Sequence, residues 1–470
     1  MSRIRVLLLL AVAPALLLLA SPAAATPPAV PADLVTAEVS FRGGGGLALH
    51  GTVVSPAAPS AEPRAGLVLV HGAGEGTKRA KLLGEAVEFA RRGLAVLVYD
   101  KRTVGYTLFD RSFSALADDA LGAVAALRAR PGVDPAKVGL WGLSEGGWVV
   151  PLAASRSADV AFVVVVGANA QHPLRQQTWA VASGLRKAGV SGSMVERTEP
   201  ALYRAIADGG LFPEAYYEPQ RVLRQMRQPL LGIWGTDDLL TPPRESPPLI
   251  ARALKEGGNT AYTMRFFPGA DHAAHQTPDG GVTRLPALAP GYADLVGSWV
   301  SDVTSGRLPE ADLPADLPAQ AAPTVAVPPP AWWESALPQT AALVLFLVAF
   351  TAYPVVAVVR RVRGRSPVLT ARAPRVLGAA GPVAVFGGFT YLMVVCMNGG
   401  KLASPGPILG GRPLIWLGLQ ALALAAVVAT AMTVPAWRRA TGAEKVRLGL
   451  LLAAGAVFLP WALYWGLLLP

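Results

Sequence analysis

The sequence has very few cysteines and histidines. Its 470 residues include one cysteine, Cys396, and five histidines. A single cysteine excludes an intrachain disulfide, gives no sign of an oxidising compartment and leaves no lipoprotein attachment site. A zinc site needs three or four ligands at defined spacing, and Asp271, His272 and His275 form the one small cluster present. We therefore expect neither a disulfide framework nor a metal or other cofactor.

Charged residues are also sparse and unevenly placed. They make up 16% of the chain, against 52% apolar residues, and the mean hydropathy is +0.40, which is high for a purely soluble protein. The formal net charge is +11, and a basic balance of this size is typical of proteins that bind nucleic acid or a membrane surface. Because the arginines cluster beside apolar stretches, we expect a lipid bilayer and no nucleic acid as a partner.

The N-terminus has the pattern of a secretory signal peptide, residues 1–25. Arg3 and Arg5 precede an apolar run, and small residues follow it up to an A-x-A site ending at Ala25. The alternative is an uncleaved membrane anchor. With either reading the domain that follows, residues 26–304, is exported.

The C-terminal region, residues 338–470, predicts an all-α transmembrane region. Each of its four apolar stretches is near the roughly 20 residues that span a bilayer. They lie at about 338–359, 376–397, 413–435 and 447–469. The first and third connections carry most of the arginines and lysines, whereas the middle one holds Lys401 and Arg412. Positive loops face the cytoplasm, so we expect a multi-pass protein of the cell membrane with residues 26–304 outside.

Strand and helix patterns alternate along residues 26–304, which predicts a doubly wound, mostly parallel α/β sheet. Residues 171–228 interrupt this alternation and are mostly helical in pattern. We expect them to form a lid over the strand ends, the alternative being a plain helical connection. Residues 305–337 are rich in proline and alanine and predict a stiff, extended linker.

A nucleophile motif, G-x-S-x-G, occurs at Gly142–Gly146 with Ser144 at its centre. It follows an apolar strand pattern and opens a helix, as a strained strand-to-helix turn requires. The start of that helix favours developing negative charge. The alternative is a glycine-rich turn with no chemistry. Since a hydroxyl near neutral pH needs a base, one of the five histidines must accompany Ser144.

Five stretches together resemble the α/β-hydrolase superfamily. They are LVLVHGAGEG at 67–76, VLVYDKRTVG at 96–105, VGLWGLSEGGWVVPLAA at 138–154, GIWGTDDLLTPP at 232–243 and FFPGADH at 266–272. The nearest branch resembles bacterial esterases and dienelactone-hydrolase-like proteins, which are similar to serine aminopeptidases and prolyl-oligopeptidase-type domains. Thr103 replaces a glycine that is usual in the second stretch, which puts the turn near the site mouth in doubt.

The resemblance implies a catalytic triad in the order serine, acid, histidine. Ser144 is the nucleophile, and His272, just after the last strand, is the base, with His275 as the runner-up. The stretch after residue 234 is similar to the G-x-x-D-x-x-x-P pattern, which favours Asp238 over Asp237 as the acid that orients the histidine.

The same resemblance implies an oxyanion hole made of two backbone N–H groups. One belongs to Glu145, the residue after the nucleophile. The other comes from the glycine-rich loop after the third strand, where we assign Ala73 and keep Gly72 as the alternative. We expect His71 to brace this loop.

The leading hypothesis is therefore a membrane-anchored serine hydrolase that cleaves esters outside the cytoplasm. Serine peptidase or aminopeptidase activity and acyl transfer to a cell-envelope acceptor are alternatives, with a small-molecule ester or a peptide as substrate. A different class is a non-catalytic membrane sensor or binding protein. A transporter is disfavoured because the apolar stretches contain few polar residues.

Overall fold

The computed structural model describes residues 31–364, 371–398 and 405–469, so the predicted signal peptide lies outside the described residues. The strands of the main sheet are β1 Leu34–Arg42, β2 Ala48–Pro56, β3 Arg64–Val70, β4 Ala95–Tyr99, β5 Val133–Leu143, β6 Val163–Val166, β7 Leu230–Gly235 and β8 Tyr262–Phe267. The helices up to residue 304 are α1 Leu83–Arg91, α2 Phe113–Arg128, α3 Gly146–Arg156, α4 Pro173–Lys187, α5 Glu199–Asp208, α6 Pro219–Leu223, α7 Ser246–Glu256 and α8 Tyr292–Thr304.

The eight strands form one mostly parallel sheet in the order β1-β2-β4-β3-β5-β6-β7-β8. The hairpin of β1 and β2 is antiparallel, β2 pairs antiparallel with β4, and the remaining neighbours are parallel. Parallel neighbours need helical crossovers, which is why strands and helices alternate in the sequence. The predicted fold class is confirmed, and the carboxyl ends of β3, β5, β6, β7 and β8 lie along one edge of the sheet.

The hydrophobic core has two layers because successive side chains of a buried strand point to opposite faces. Along β3, Val68 and Val70 pack on one face with α2 and α3, whereas Leu67 and Leu69 pack on the other with α1 and α8. Both layers consist mainly of apolar side chains. This packing fixes the positions of the strand ends, and a rigid scaffold of this kind often positions functional residues on the loops that follow the strands.

The segment after α8, predicted as a linker, packs on the α/β domain at several points. The Asp312 carbonyl accepts from the Met264 N–H, and the Asp312 N–H donates to the Tyr262 carbonyl. Asp312 thus continues the hydrogen bonding beyond β8 and covers part of an edge strand. Farther on, the Glu245 carboxylate accepts from the N–H and the hydroxyl of Thr324. This part of the chain is extended, as expected, but it is also held against the domain.

The described chain divides into two compact units, the first comprising residues 31–180 and 212–326 and the second residues 181–211 and 327–469. The second unit contains long helices, which we number onwards in chain order. They are α9 Ala336–Val362, α10 Arg372–Pro382, α11 Gly388–Asn398, α12 Leu414–Arg439 and α13 Gly442–Tyr464. A π-helical turn, Val383–Gly387, joins α10 to α11. By length and composition, four spans are apolar enough to cross a membrane: Ala336–Val362, Arg372–Cys396, Leu414–Arg439 and Gly442–Tyr464.

Residues 181–211 pack against the apolar helices of their own unit. The Tyr203 hydroxyl donates to the Cys396 carbonyl at 3.1 Å, and the Thr198 hydroxyl donates to the Trp465 carbonyl at 2.9 Å. The Ser193 hydroxyl donates to the Leu469 carbonyl at 3.0 Å. These bonds satisfy carbonyls at helix ends that have no partner within the helix. The middle of the interrupting segment 171–228 therefore contacts the apolar helices, and its role as a lid stays a prediction.

Candidate active site

Ser144 lies in a strained turn between β5 and α3. Its φ is 56°, and among the described residues only Glu214 and Ala274 share a positive φ without being glycine. The turn is so tight that a Cβ on Gly142 would lie 2.3 Å from the Gly146 carbonyl oxygen. A positive φ at a non-glycine residue costs free energy that the surrounding packing must offset. The geometry has the features of a nucleophile elbow, which exposes a serine at the end of a strand.

Asp238 and His272 are brought together from the loops that follow β7 and β8. His272 Nδ1 lies 2.9 Å from Asp238 Oδ2 and 3.1 Å from Oδ1. The other bonds to the carboxylate come from the Leu240 N–H, the Thr241 N–H and the Thr241 hydroxyl. Asp238 is buried, whereas Asp237 is partly exposed. With Asp238 accepting at Nδ1, the imidazole carries its proton there and leaves Nε2 free to accept another.

His272 and Ser144 border the same turn after β6. The Ser144 N–H donates to the Val166 carbonyl at 2.9 Å. The next residue, Gly167, has a φ of 56°, and a Cβ there would lie 2.7 Å from His272 Nδ1. His272 Nε2 is buried and has no hydrogen-bond partner among the described residues. Ser144 and His272 therefore approach the same turn, Val166–Gly167, from the ends of two different strands.

The two other histidines considered above have different partners. His275 Nε2 lies 3.1 Å from Glu85 Oε1, and although burial opposes it, this carboxylate raises the pKa of His275. His71 Nε2 donates to the Tyr99 carbonyl at 2.8 Å, and burial lowers the pKa of His71 to about 4. His71 is therefore neutral near pH 7 and holds the start of its loop to the end of β4.

The loop after β3 approaches the nucleophile closely. A Cβ on Gly72 would lie 3.2 Å from Ser144 Cβ, so this residue has little room for a side chain. In the described part of the chain, neither the Ala73 N–H nor the Glu145 N–H donates to another protein atom. Glu145 directly follows the serine in the chain, and Ala73 directly follows Gly72, so both N–H groups are candidates to bind a developing negative charge.

The side chain of Glu145 lies in a cluster that we did not predict. Its carboxylate accepts from Lys101 at 2.5 Å, from Tyr106 at 2.9 Å and from Arg111 at 2.7 Å. Burial favours the neutral acid, but Lys101 and Arg111 outweigh it and keep the pKa of Glu145 below its ordinary value. A lysine two residues after a buried apolar strand is a signal in the sequence, since an unpaired buried ammonium would be costly. Its partner, 44 residues away, is not visible from local pattern.

Asp271, His272 and His275, the cluster considered above, each have a partner outside the cluster. Among the residues that the structure describes, no group of three or more His, Cys, Asp or Glu side chains is placed to hold a metal ion. Asp271, a member of the cluster considered above, pairs instead with Arg284 at 2.5 Å. The Asp238–His272 pair suits proton transfer and the activation of a nucleophile.

Comparison with known proteins gives one family match and a number of similar folds. Residues 114–285 match the prolyl oligopeptidase family, and no curated protein matches the chain. Among solved structures, a 2,6-dihydroxy-pseudo-oxynicotine hydrolase is similar to this protein. The match covers 59% of this chain and 70% of the hydrolase, with 15% identity and a TM-score of 0.42. The match to a dienelactone hydrolase from Anabaena variabilis covers 59% of this chain and 99% of that hydrolase, with 21% identity and a TM-score of 0.35. The match to an acylaminoacyl peptidase from Pyrococcus horikoshii covers 53% of this chain and 39% of that peptidase, with 18% identity and a TM-score of 0.40.

Proposed function

We propose that the chain, which carries an α/β-hydrolase domain, is a membrane-anchored serine carboxylesterase with Ser144, His272 and Asp238 as its triad. The observation that supports the proposal is the Asp238–His272 pair, 2.9 Å apart. This pair borders the same turn after β6 as Ser144, which has a strained backbone. The family match supplies the hydrolase class. Nothing in this proposal requires a cofactor.

In the proposed reaction, the Ser144 hydroxyl attacks the carbonyl carbon of an ester and passes its proton to His272 Nε2. Asp238 accepts from Nδ1 and stabilises the imidazolium. The carbonyl oxygen becomes negative and receives hydrogen bonds from the N–H groups of Ala73 and Glu145. The C–O bond to the leaving alcohol then breaks, and the alcohol takes the proton from Nε2. Water repeats the steps on the acyl-enzyme, releasing the acid and restoring the serine.

The surroundings of the nucleophile favour an ester over a peptide with a free amino terminus. An aminopeptidase needs an acidic side chain for the substrate ammonium group. The acid next to Ser144 is Glu145, whose side chain is 1% exposed and is neutralised by two cations of the protein. A peptidase remains the second candidate, because the matching family is named for prolyl oligopeptidase.

The test treats the full-length protein in detergent or lipid nanodiscs with a fluorophosphonate probe. We expect labelling of the wild type and none of Ser144→Ala or His272→Ala. His275→Asn is the matched control, because this histidine faces Glu85, and it should label at a rate close to that of the wild type. A folded wild-type protein that does not label would favour the sensor hypothesis.

Substrate class is then decided by turnover. We expect hydrolysis of short-chain p-nitrophenyl esters that is abolished in Ser144→Ala. Faster turnover of aminoacyl or prolyl anilides, in kcat/KM, would transfer the assignment to the peptidases. Acyl transfer would appear as an acylated product when an alcohol acceptor is added.

We also propose that the four apolar spans anchor the hydrolase domain on the outer face of the cell membrane. Arginine-rich connections at the ends of Ala336–Val362 and Leu414–Arg439 support this orientation. In intact cells an impermeant protease should digest the hydrolase domain. Protection of that domain until the cells are lysed would reverse the orientation.

A further inference from the structure

Glu145 contributes two chemically separate groups to the region of the nucleophile. Its backbone N–H is one of the two proposed oxyanion donors, whereas its carboxylate is buried and receives three hydrogen-bond donors. Those donors are Lys101 Nζ, the Tyr106 hydroxyl and Arg111 Nη1. A buried carboxylate beside a developing oxyanion would oppose the reaction, so the two cations are needed to neutralise it.

Two of these side chains also contact the loop that holds the other proposed donor. Lys101 Nζ donates to the Gly72 carbonyl at 2.7 Å, and the Gly74 N–H donates to the Tyr106 hydroxyl at 3.2 Å. Gly72 and Gly74 are the residues on either side of Ala73. Lys101 also donates to the Tyr106 hydroxyl at 3.0 Å. Lys101 and Tyr106 therefore connect the backbone on both sides of Ala73 to the side chain of Glu145.

We propose that Lys101, Tyr106 and the Glu145 carboxylate are positioning residues that set the distance between the two oxyanion donors. This inference rests on the proposed hydrolase function. Oxyanion donors are effective because they are held in place before the reaction begins. A displacement of about 1 Å can cost roughly 100-fold in rate. The loop around Ala73 is rich in glycine and would otherwise have considerable freedom.

The neighbouring ion pair, Arg102 with Asp119, offers a matched control. Arg102 follows Lys101 in the chain, and its Nε lies 2.6 Å from Asp119 Oδ2, with side chains 8% and 1% exposed. This pair holds Gly44, whose N–H and carbonyl bond to Asp119 and Arg102 respectively. It is as buried as the Lys101 pair but contacts the hairpin between β1 and β2 instead of the oxyanion loop.

The experiment measures kcat and KM for a p-nitrophenyl ester with the full-length protein, together with inhibition by a trifluoromethyl ketone. The ketone forms a tetrahedral adduct with the serine, and its oxygen occupies the oxyanion position. For Lys101→Met we expect kcat to fall by about 10- to 100-fold, with KM within about 3-fold of the wild type. The affinity for the ketone should fall by a similar factor. Arg102→Met should lower the unfolding temperature yet keep kcat within about 3-fold.

Tyr106→Phe keeps the ring and removes only the hydroxyl, so it tests the same inference if Lys101→Met does not fold. We expect a smaller loss of kcat, about 3- to 10-fold, with ketone affinity reduced in proportion. Unchanged kcat and ketone affinity in a folded Lys101→Met or Tyr106→Phe protein would overturn the inference. An equal loss of kcat in Arg102→Met would also overturn it, because general destabilisation would then suffice. Turnover that persists in Ser144→Ala would instead show that the proposed function itself is wrong.

Discussion

Acid should weaken the hydrolase domain through His71, the residue at the start of the loop that approaches Ser144. The imidazole is 3% exposed and donates from Nε2 to the Tyr99 carbonyl. Burial is the main cause that lowers its pKa from 6.5 to about 4, and Lys101 and Lys81 act in the same direction. The folded protein therefore binds a proton less readily at this site than the unfolded chain does.

The sign and size follow from linkage between protonation and folding. Stability is fully present above pH 6.5, the unfolded pKa, and is lost as the pH falls towards about 4. At about 1.4 kcal/mol per pKa unit, this range corresponds to about 3 kcal/mol in the free energy of unfolding. That is a large part of the 5–15 kcal/mol typical of a domain. Since Lys101 also holds Gly72, partial opening here should reduce activity as well.

The assay is urea unfolding of the full-length protein, followed by tryptophan fluorescence between pH 4 and pH 7.5. His71→Asn removes the titrating group, so the comparison separates it from the other residues that titrate in this range. We expect the wild type to lose about 3 kcal/mol more than the variant on acidification. Equal losses in the two proteins would refute the reasoning, because the proton would then bind equally well in the folded and unfolded states.

Three further outcomes test other parts of the structure. Asp238→Asn should lower kcat by about three to four orders of magnitude, because His272 would lose the acceptor that fixes its tautomer; ester turnover measures this. Gly167→Ala should slow fluorophosphonate labelling strongly, since its Cβ would lie 2.5 Å from the His272 carbonyl oxygen, whereas Gly84→Ala, with open space around it, should label normally. Burial raises the pKa of Glu199 well above its ordinary value, so wild-type stability should fall as the pH rises above about 4.5. Thermal unfolding of Glu199→Gln should lack that decline.

Local sequence pattern was sufficient for the elements that form the sheet. The alternation of apolar strands with helices predicted a mostly parallel sheet, because buried parallel strands are apolar on both faces and need helical crossovers. Boundaries were less certain. β5 extends back to Val133 because Val133 pairs with Arg64 across a register shift, and such pairing depends on a distant strand.

The sequence also indicated chemistry wherever the signal is confined to a short stretch. Gly142–Gly146 follows a strand and opens a helix, so the strained turn at Ser144 was predictable from neighbouring residues. The four apolar spans were predictable for a similar reason, since length and composition suffice. These features depend on interactions within about 20 residues.

Only the tertiary structure decided which charged groups face one another. Asp237 and Asp238 are adjacent in the sequence, and the fold places the carboxylate of Asp238 against His272, 34 residues away. In the same way, the folded loops bring Lys101 to the Glu145 carboxylate and the Gly72 carbonyl. Residues 181–211, which the sequence suggested as part of a lid, pack with the apolar helices. Such pairings are set by the geometry of the strand ends and by the cost of burying an unpaired charge, and neither is encoded in local periodicity.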